Sequence, residues 1–139
     1  MPITEFVNID LELHADGGLE QFLNYVRPSV DVLHQTPKFL AIELAGVFSD
    51  EPPSVDRTIR AFASLISTLP PEAMSIWKRL DRRIFDIGIQ AGCNPRSTGF
   101  TVSNSAITLL HDLDAEVVFT VYAPPEAKPA AQAASEGGT

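Results

Sequence analysis

A single cysteine, Cys93, rules out an internal disulfide, and with it the disulfide-stapled class of small secreted domains. The same shortage favours a reducing compartment, so a cytoplasmic location is the expectation. No apolar run approaches the ~20 residues needed to cross a bilayer, and no membrane role is expected. The opening MPITEFVNID has neither the basic n-region nor the apolar h-region of a signal peptide. Cys-x-x-Cys and His-x-His are missing, and His14, His34 and His111 include no pair four residues apart. Neither a metal nor another cofactor is therefore expected. Gly-x-Gly-x-x-Gly and the Gly-x-x-x-x-Gly-Lys-Ser/Thr loop are absent too. Positive charge is scarce: ten Lys and Arg stand against eighteen Asp and Glu, a net −8. A field of that sign repels phosphate backbones, which argues against nucleic acid as a partner.

What the chain does have is enough apolar sequence, 45%, for a real core in a single domain of 139 residues. Val7, Ile9, Leu11 and Leu13 alternate with Asn8, Asp10 and Glu12, the period of a half-buried strand. Leu19, Phe22, Leu23 and Val26 then recur at helical spacing, with Asp16 as a cap and Pro28 as a stop. Residues 29–34 and 38–44 read as a hairpin around Gln35-Thr36-Pro37. After the loop 46–54, Ser54 caps a helix striped with Val55, Ile59, Phe62, Leu65 and Ile66. Pro70 and Pro71 open another helix running to about Arg83, with Met74, Trp77 and Leu80 inward. IFDIGIQA, residues 84–91, is a strand. A loop follows, then a short strand or an extended approach over Gly99–Val102, and a helix capped by Ser103 or Asn104 with Ile107, Leu110 and Leu113 on its core side. EVVFTVYA, residues 116–123, is apolar on both faces and predicts a central or well-covered strand.

The expected fold is α+β, with a mixed or antiparallel sheet carrying amphipathic helices on one face. A ferredoxin-like βαββαβ core is extended by a C-terminal α-β unit. Residues 1–123 form the domain, and the Pro- and Ala-rich 124–139 read as a disordered tail.

No assembled catalytic motif emerges, and no catalytic residue is assigned. Cys93 lies in a turn-rich loop with Arg96, without the surroundings of a known nucleophilic thiol. Lys78, Arg79, Arg82 and Arg83 fit a helix C-terminus better than a nucleic-acid patch. Ser103-Asn104-Ser105 opens a helix whose free amides suit an anion. Asp86 shares its strand face with Ile84 and Gly88; it is expected to be exposed, or, if covered, to need Arg82 or Arg83 as a donor. The charge is lopsided: residues 1–54 hold nine acids against Arg27 and Lys38. Asp10, Glu12 and Glu43 sit at outward strand positions, and Asp50 and Glu51 in a loop. Together with Asn94 and Arg96 they form the candidate surface for a protein partner.

The segment Gly99-Phe100-Thr101-Val102-Ser103, followed by Leu113-Asp114-Ala115 and the strand to Val121-Tyr122, resembles the C-terminal part of small bacterial α+β domains of unknown function. Some of those resemble toxin-immunity proteins. The resemblance implies a non-enzymatic domain, an immunity protein that neutralises a toxin by binding it. Its partner would be a basic toxin domain, and the chain itself a monomer or weak homodimer. Two other readings stand beside it: a small enzyme or ligand-binding domain using the 92–104 loop with Cys93 and a histidine, and an assembly subunit pairing through a sheet edge.

Overall fold

Alternation of Ile9, Leu11 and Leu13 with Asn8, Asp10 and Glu12 carries Glu5–His14 (β1) through the middle of a five-stranded sheet. The computed structural model describes residues 3–46 and 53–124. The elements follow in the order β1, Leu19–Val26 (α1), Val30–Thr36 (β2), Phe39–Leu44 (β3), Val55–Ser67 (α2), Pro71–Arg79 (α3), Arg82–Gln90 (β4), Asn104–Asp112 (α4) and Glu116–Tyr122 (β5). The strand order is β2-β3-β1-β4-β5. The pairs β2-β3, β3-β1 and β1-β4 are antiparallel, which is the split βαββαβ arrangement. The α4-β5 unit adds a fifth strand parallel to β4, so the sheet is mixed. The tail and the 47–52 loop, with Asp50 and Glu51, lie outside the described residues.

All four helices cover one face. Ile9, Leu11 and Leu13 of β1, Leu40 and Ile42 of β3, and Phe85 and Ile87 of β4 meet Phe22 and Leu23 of α1, Ile59 and Phe62 of α2, Trp77 of α3 and Leu110 of α4. Phe62 packs edge-on against Phe85 at 5.5 Å. Burying a side chain of this kind is worth about 1.5–3 kcal/mol, so the helix-covered face carries most of the fold's stability. Trp77 is core, as its stripe position predicts.

Several local expectations are corrected. β1 is bulged between Phe6 and Asn8, so Phe6 turns inward beside the core and Val7 faces out, 46% exposed. The N-cap of α1 is Gly18, whose φ of 85° suits glycine, in place of Asp16. α3 stops at Arg79, four residues early, because Arg83 already belongs to β4. Its buried guanidinium donates back to the carbonyls of Trp77 (3.0 Å), Lys78 (3.2 Å) and Leu80 (3.1 Å). A helix end leaves its last carbonyls short of donors; Leu80 N reaches Trp77 O at 3.2 Å, and the Arg83 cation supplies the further donors that close this end. Gly99–Val102 forms no strand. Ala106, not Ile107, takes the inward position on α4, and Ile107 is 52% exposed.

The largest correction concerns β5. Apolar residues on both faces predict a central or well-covered strand, yet among the described residues β5 is an edge with β4 as its one neighbour in the sheet. Phe119 and Val121 are 55% and 60% exposed.

Candidate functional site

The face of the sheet away from the helices collects the acids. The β1 register sets Asp10 opposite Asp86 of β4 and Glu12 opposite Ile84. Because Leu11 faces Ile42 on β3, Asp10 also lies across from Glu43. Three adjacent strands thus bring Asp10, Glu12, Glu43 and Asp86 onto one open surface, spaced by the small or apolar Ala41, Ile84 and Gly88. Period-two alternation makes this grouping unavoidable once the core side is fixed.

The neighbours of these acids are neutral donors. Asn8 Nδ2 donates to Asp10 Oδ1 at 3.0 Å and to Glu43 Oε1 at 2.6 Å, bridging the two carboxylates. Thr120 Oγ1 of β5 donates to Asp86 Oδ1 at 2.6 Å. Half-buried Asp86 therefore takes its hydrogen bond from a hydroxyl, where Arg82 or Arg83 was the expected donor. None of the four acids takes part in an ion pair among the described residues. Arg82 stands at the rim, but its guanidinium is held by Glu116 through two hydrogen bonds of 2.8 and 3.1 Å.

The crowding shows at two of them, Asp10 and Glu12, the second eased by the charge of Arg82 at the rim. Partial burial, then the charges of Glu43 and Asp86, push the Asp10 carboxyl up to about 6, against the opposing hydrogen bond from Asn8. Glu12 is raised by burial, then by Asp86 and Asp10, and by a hydrogen bond to Asp86 that only the protonated acid can donate. Near neutrality the face holds its charge at a cost to the fold.

The remaining candidates lie elsewhere. Asn94 and Arg96 are exposed on the loop after β4, where Asn94 bridges to Ile3. Ile3 is seven residues from Asp10, roughly 23 Å along a strand. The loop and the acidic face are therefore separate surfaces. Cys93 is exposed on the same loop. His14 faces Arg82 at the other end of β4, and both His14 and His34 pack on Phe39, at 4.9 and 5.6 Å. His111 lies in the last turn of α4, the end that leads into β5 beside the start of β4. The thiol and the three imidazoles thus sit toward opposite ends of the sheet, and this separation gives the nucleophile-and-base reading no support.

The start of α4 is a helix cap filled from within, which leaves the anion-binding alternative without support. Ser103 Oγ caps the helix by accepting from Ala106 N, while Ser103 N and Oγ donate to Asp56 at 2.7 and 2.6 Å. These bonds hold the Asp56 carboxyl below its ordinary range, the backbone donor contributing most. Arg60 joins the same cluster through Asp56, Ser103 and Ser105. A groove of about 610 Å³ lies alongside, between Phe6, Val55 and Phe100, with Glu5 and Asp56 the ionisable groups among its described lining residues. Among the described residues, no three His, Cys, Asp or Glu side chains converge as metal ligands. No helix there is long and apolar enough to cross a membrane.

Asn8, Asp86 and Thr120 are the members of the acidic face that the sequence-based candidate surface left out. Asp86 shares strand parity with Ile84 and Gly88, and that parity was legible; its pairing with Asp10 depended on strand order. No protein-family model matches this sequence, and neither a curated protein nor a solved structure matches it.

Proposed function

We propose that this chain is a protein-binding domain whose open, acidic sheet face docks a basic partner, and that its most specific role is that of an immunity protein blocking a toxin. The supporting observation is the set of four carboxylates on three neighbouring strands, held together by Asn8 and Thr120 without an ion pair among them. Mutual repulsion makes such a face costly in the free protein. An incoming lysine or arginine relieves it, so part of the cost returns as affinity. The net charge of −8 adds long-range attraction for a basic surface, and it speeds encounter at low salt.

The test is binding to the proteins encoded beside this one. Co-purification should recover a basic partner, with affinity falling as salt rises. The double variant Asp10→Asn with Glu43→Gln should weaken binding by roughly tenfold or more, since close interfacial charge pairs are worth about 1.5 kcal/mol or more. A complex indifferent to both salt and this variant would place the docking surface elsewhere.

A further inference from the structure

The two edges of the sheet are built differently, and the β5 edge carries the second surface. Eleven large hydrophobic side chains remain exposed among the described residues, and six of them are Ile107, Val117, Val118, Phe119, Val121 and Tyr122. They gather on one strand and the helix turn beside it. Scattered exposed hydrophobics need no explanation, but a cluster of this kind marks an interface.

The backbone adds direction. Ala91 N donates to Tyr122 O, so Tyr122 turns its peptide groups toward β4. Alternate residues of a strand point these groups to opposite sides. Val117, Phe119 and Val121 therefore present theirs to the open edge. Their side chains lie on the helix side, in register with the buried Phe85, Ile87 and Ile89. The strand runs unbulged along β4 and contains one charge, Glu116, which Arg82 already pairs at 2.8 Å.

We propose that this edge pairs antiparallel with the β5 of a second copy, centred on Phe119, to give a two-fold dimer with one continuous sheet. In that register Phe119 meets Phe119 of the copy, and Val117 meets Val121. Each is a pair able to exchange both backbone hydrogen bonds. Glu116 falls opposite Tyr122, so no like charges meet despite the acidity of each chain. Self-complementarity about the strand's own middle residue is what an isologous contact requires. The segment that follows β5 in this chain offers a poorer occupant. The sequence beyond Pro124, PEAKPAAQAASEGGT, contains no Val, Ile, Leu, Met or aromatic residue to cover Phe119 and Val121, and two prolines to break a ladder. One short strand per copy is a small interface, so the dimer should dissociate on dilution.

Sedimentation velocity of the full chain over a wide concentration range should show a reversible monomer–dimer equilibrium. Phe119→Lys, which sets two cations at the two-fold axis, should stay monomeric at every concentration with an unchanged far-ultraviolet circular dichroism spectrum. In a Cys93→Ser background, Phe119→Cys should cross-link to a dimer on mild oxidation, because hydrogen-bonded antiparallel partners lie about 5.5 Å apart at Cα, within disulfide reach. Val117→Cys should not, its copy lying roughly 13 Å along the strand. A wild-type protein that is monomeric throughout overturns the proposal. So does a Phe119→Lys variant that dimerises as the wild type does, or a Val117→Cys variant that cross-links as readily as Phe119→Cys.

Discussion

One strand, β1, shows both halves of the molecule's physics in alternate residues. Ile9, Leu11 and Leu13 point into the helices and are almost wholly buried, while Asn8, Asp10 and Glu12 point the other way into half-exposed acid. The first set stabilises the fold through packing. The second works against it, since partial burial and then the charges of Glu43 and Asp86 push the Asp10 carboxyl up to about 6. A face that destabilises its own protein is a reasonable place to look for function, because stability and activity commonly oppose one another.

Substitutions on the two faces should therefore carry opposite signs. The largest effect is expected on the covered face: Phe62→Ala opens a cavity against Phe85 and should cost about 3–5 kcal/mol in denaturant unfolding. Arg83→Met comes next. It strips three backbone carbonyls of a buried, charge-assisted donor, and a loss of about 2–3 kcal/mol is expected. Asp56→Ala should cost about 1–2 kcal/mol by removing the acceptor that joins the starts of α2 and α4. The Asp56 carboxyl is lowered in the folded state, so its contribution is present above the ordinary carboxylate range. It fades as pH falls through the folded value, and the wild-type and Ala proteins should converge in strong acid. Exposed Glu116→Gln, which breaks only a solvated pair with Arg82, should leave the unfolding midpoint nearly unchanged.

Much of this division is written in the sequence. Alternation along β1 separates Leu11 from Asp10 without knowledge of any neighbour, and the stripe of α2 assigns Ile59 and Phe62 to the core. The order of elements matches the split βαββαβ pattern, while the order of strands within the sheet stays open at that level. What escaped was relational. Whether EVVFTVY is a centre or an edge depends on how many strands lie beyond it, and composition along the strand carries no such count. The bulge at Val7 reverses a face locally, and only pairing with Gly88 and Ile89 exposes it. Arg83 looked like one of four cations at a helix end; its role as the cap came from a backbone that had already turned into β4. The acidic face was half legible, as Asp10, Glu12 and Glu43, and became a cluster when strand order placed Asp86 beside Asp10.

The two sheet edges extend the same lesson. β2 is bulged at Leu33 and lined with polar residues around Asp31, His34 and Gln35, devices that discourage strand addition. β5 has none of them. Pairing through β5 alone stops at two copies, whereas two open edges invite indefinite growth.

The most direct measurement is the unfolding free energy of wild type and Asp10→Asn across the pH range from strong acid to neutrality. A raised folded-state carboxyl contributes stability fully present below its unfolded value of about 3.8, and loses it as pH rises through about 6. The expected result is a gap in favour of Asp10→Asn that opens over that window and reaches on the order of 1 kcal/mol at pH 7, after allowance for solvent screening at a half-exposed site. An Asn variant that is less stable at pH 7, or a gap that does not change with pH, contradicts the claim that the acidic face is held at the expense of the fold.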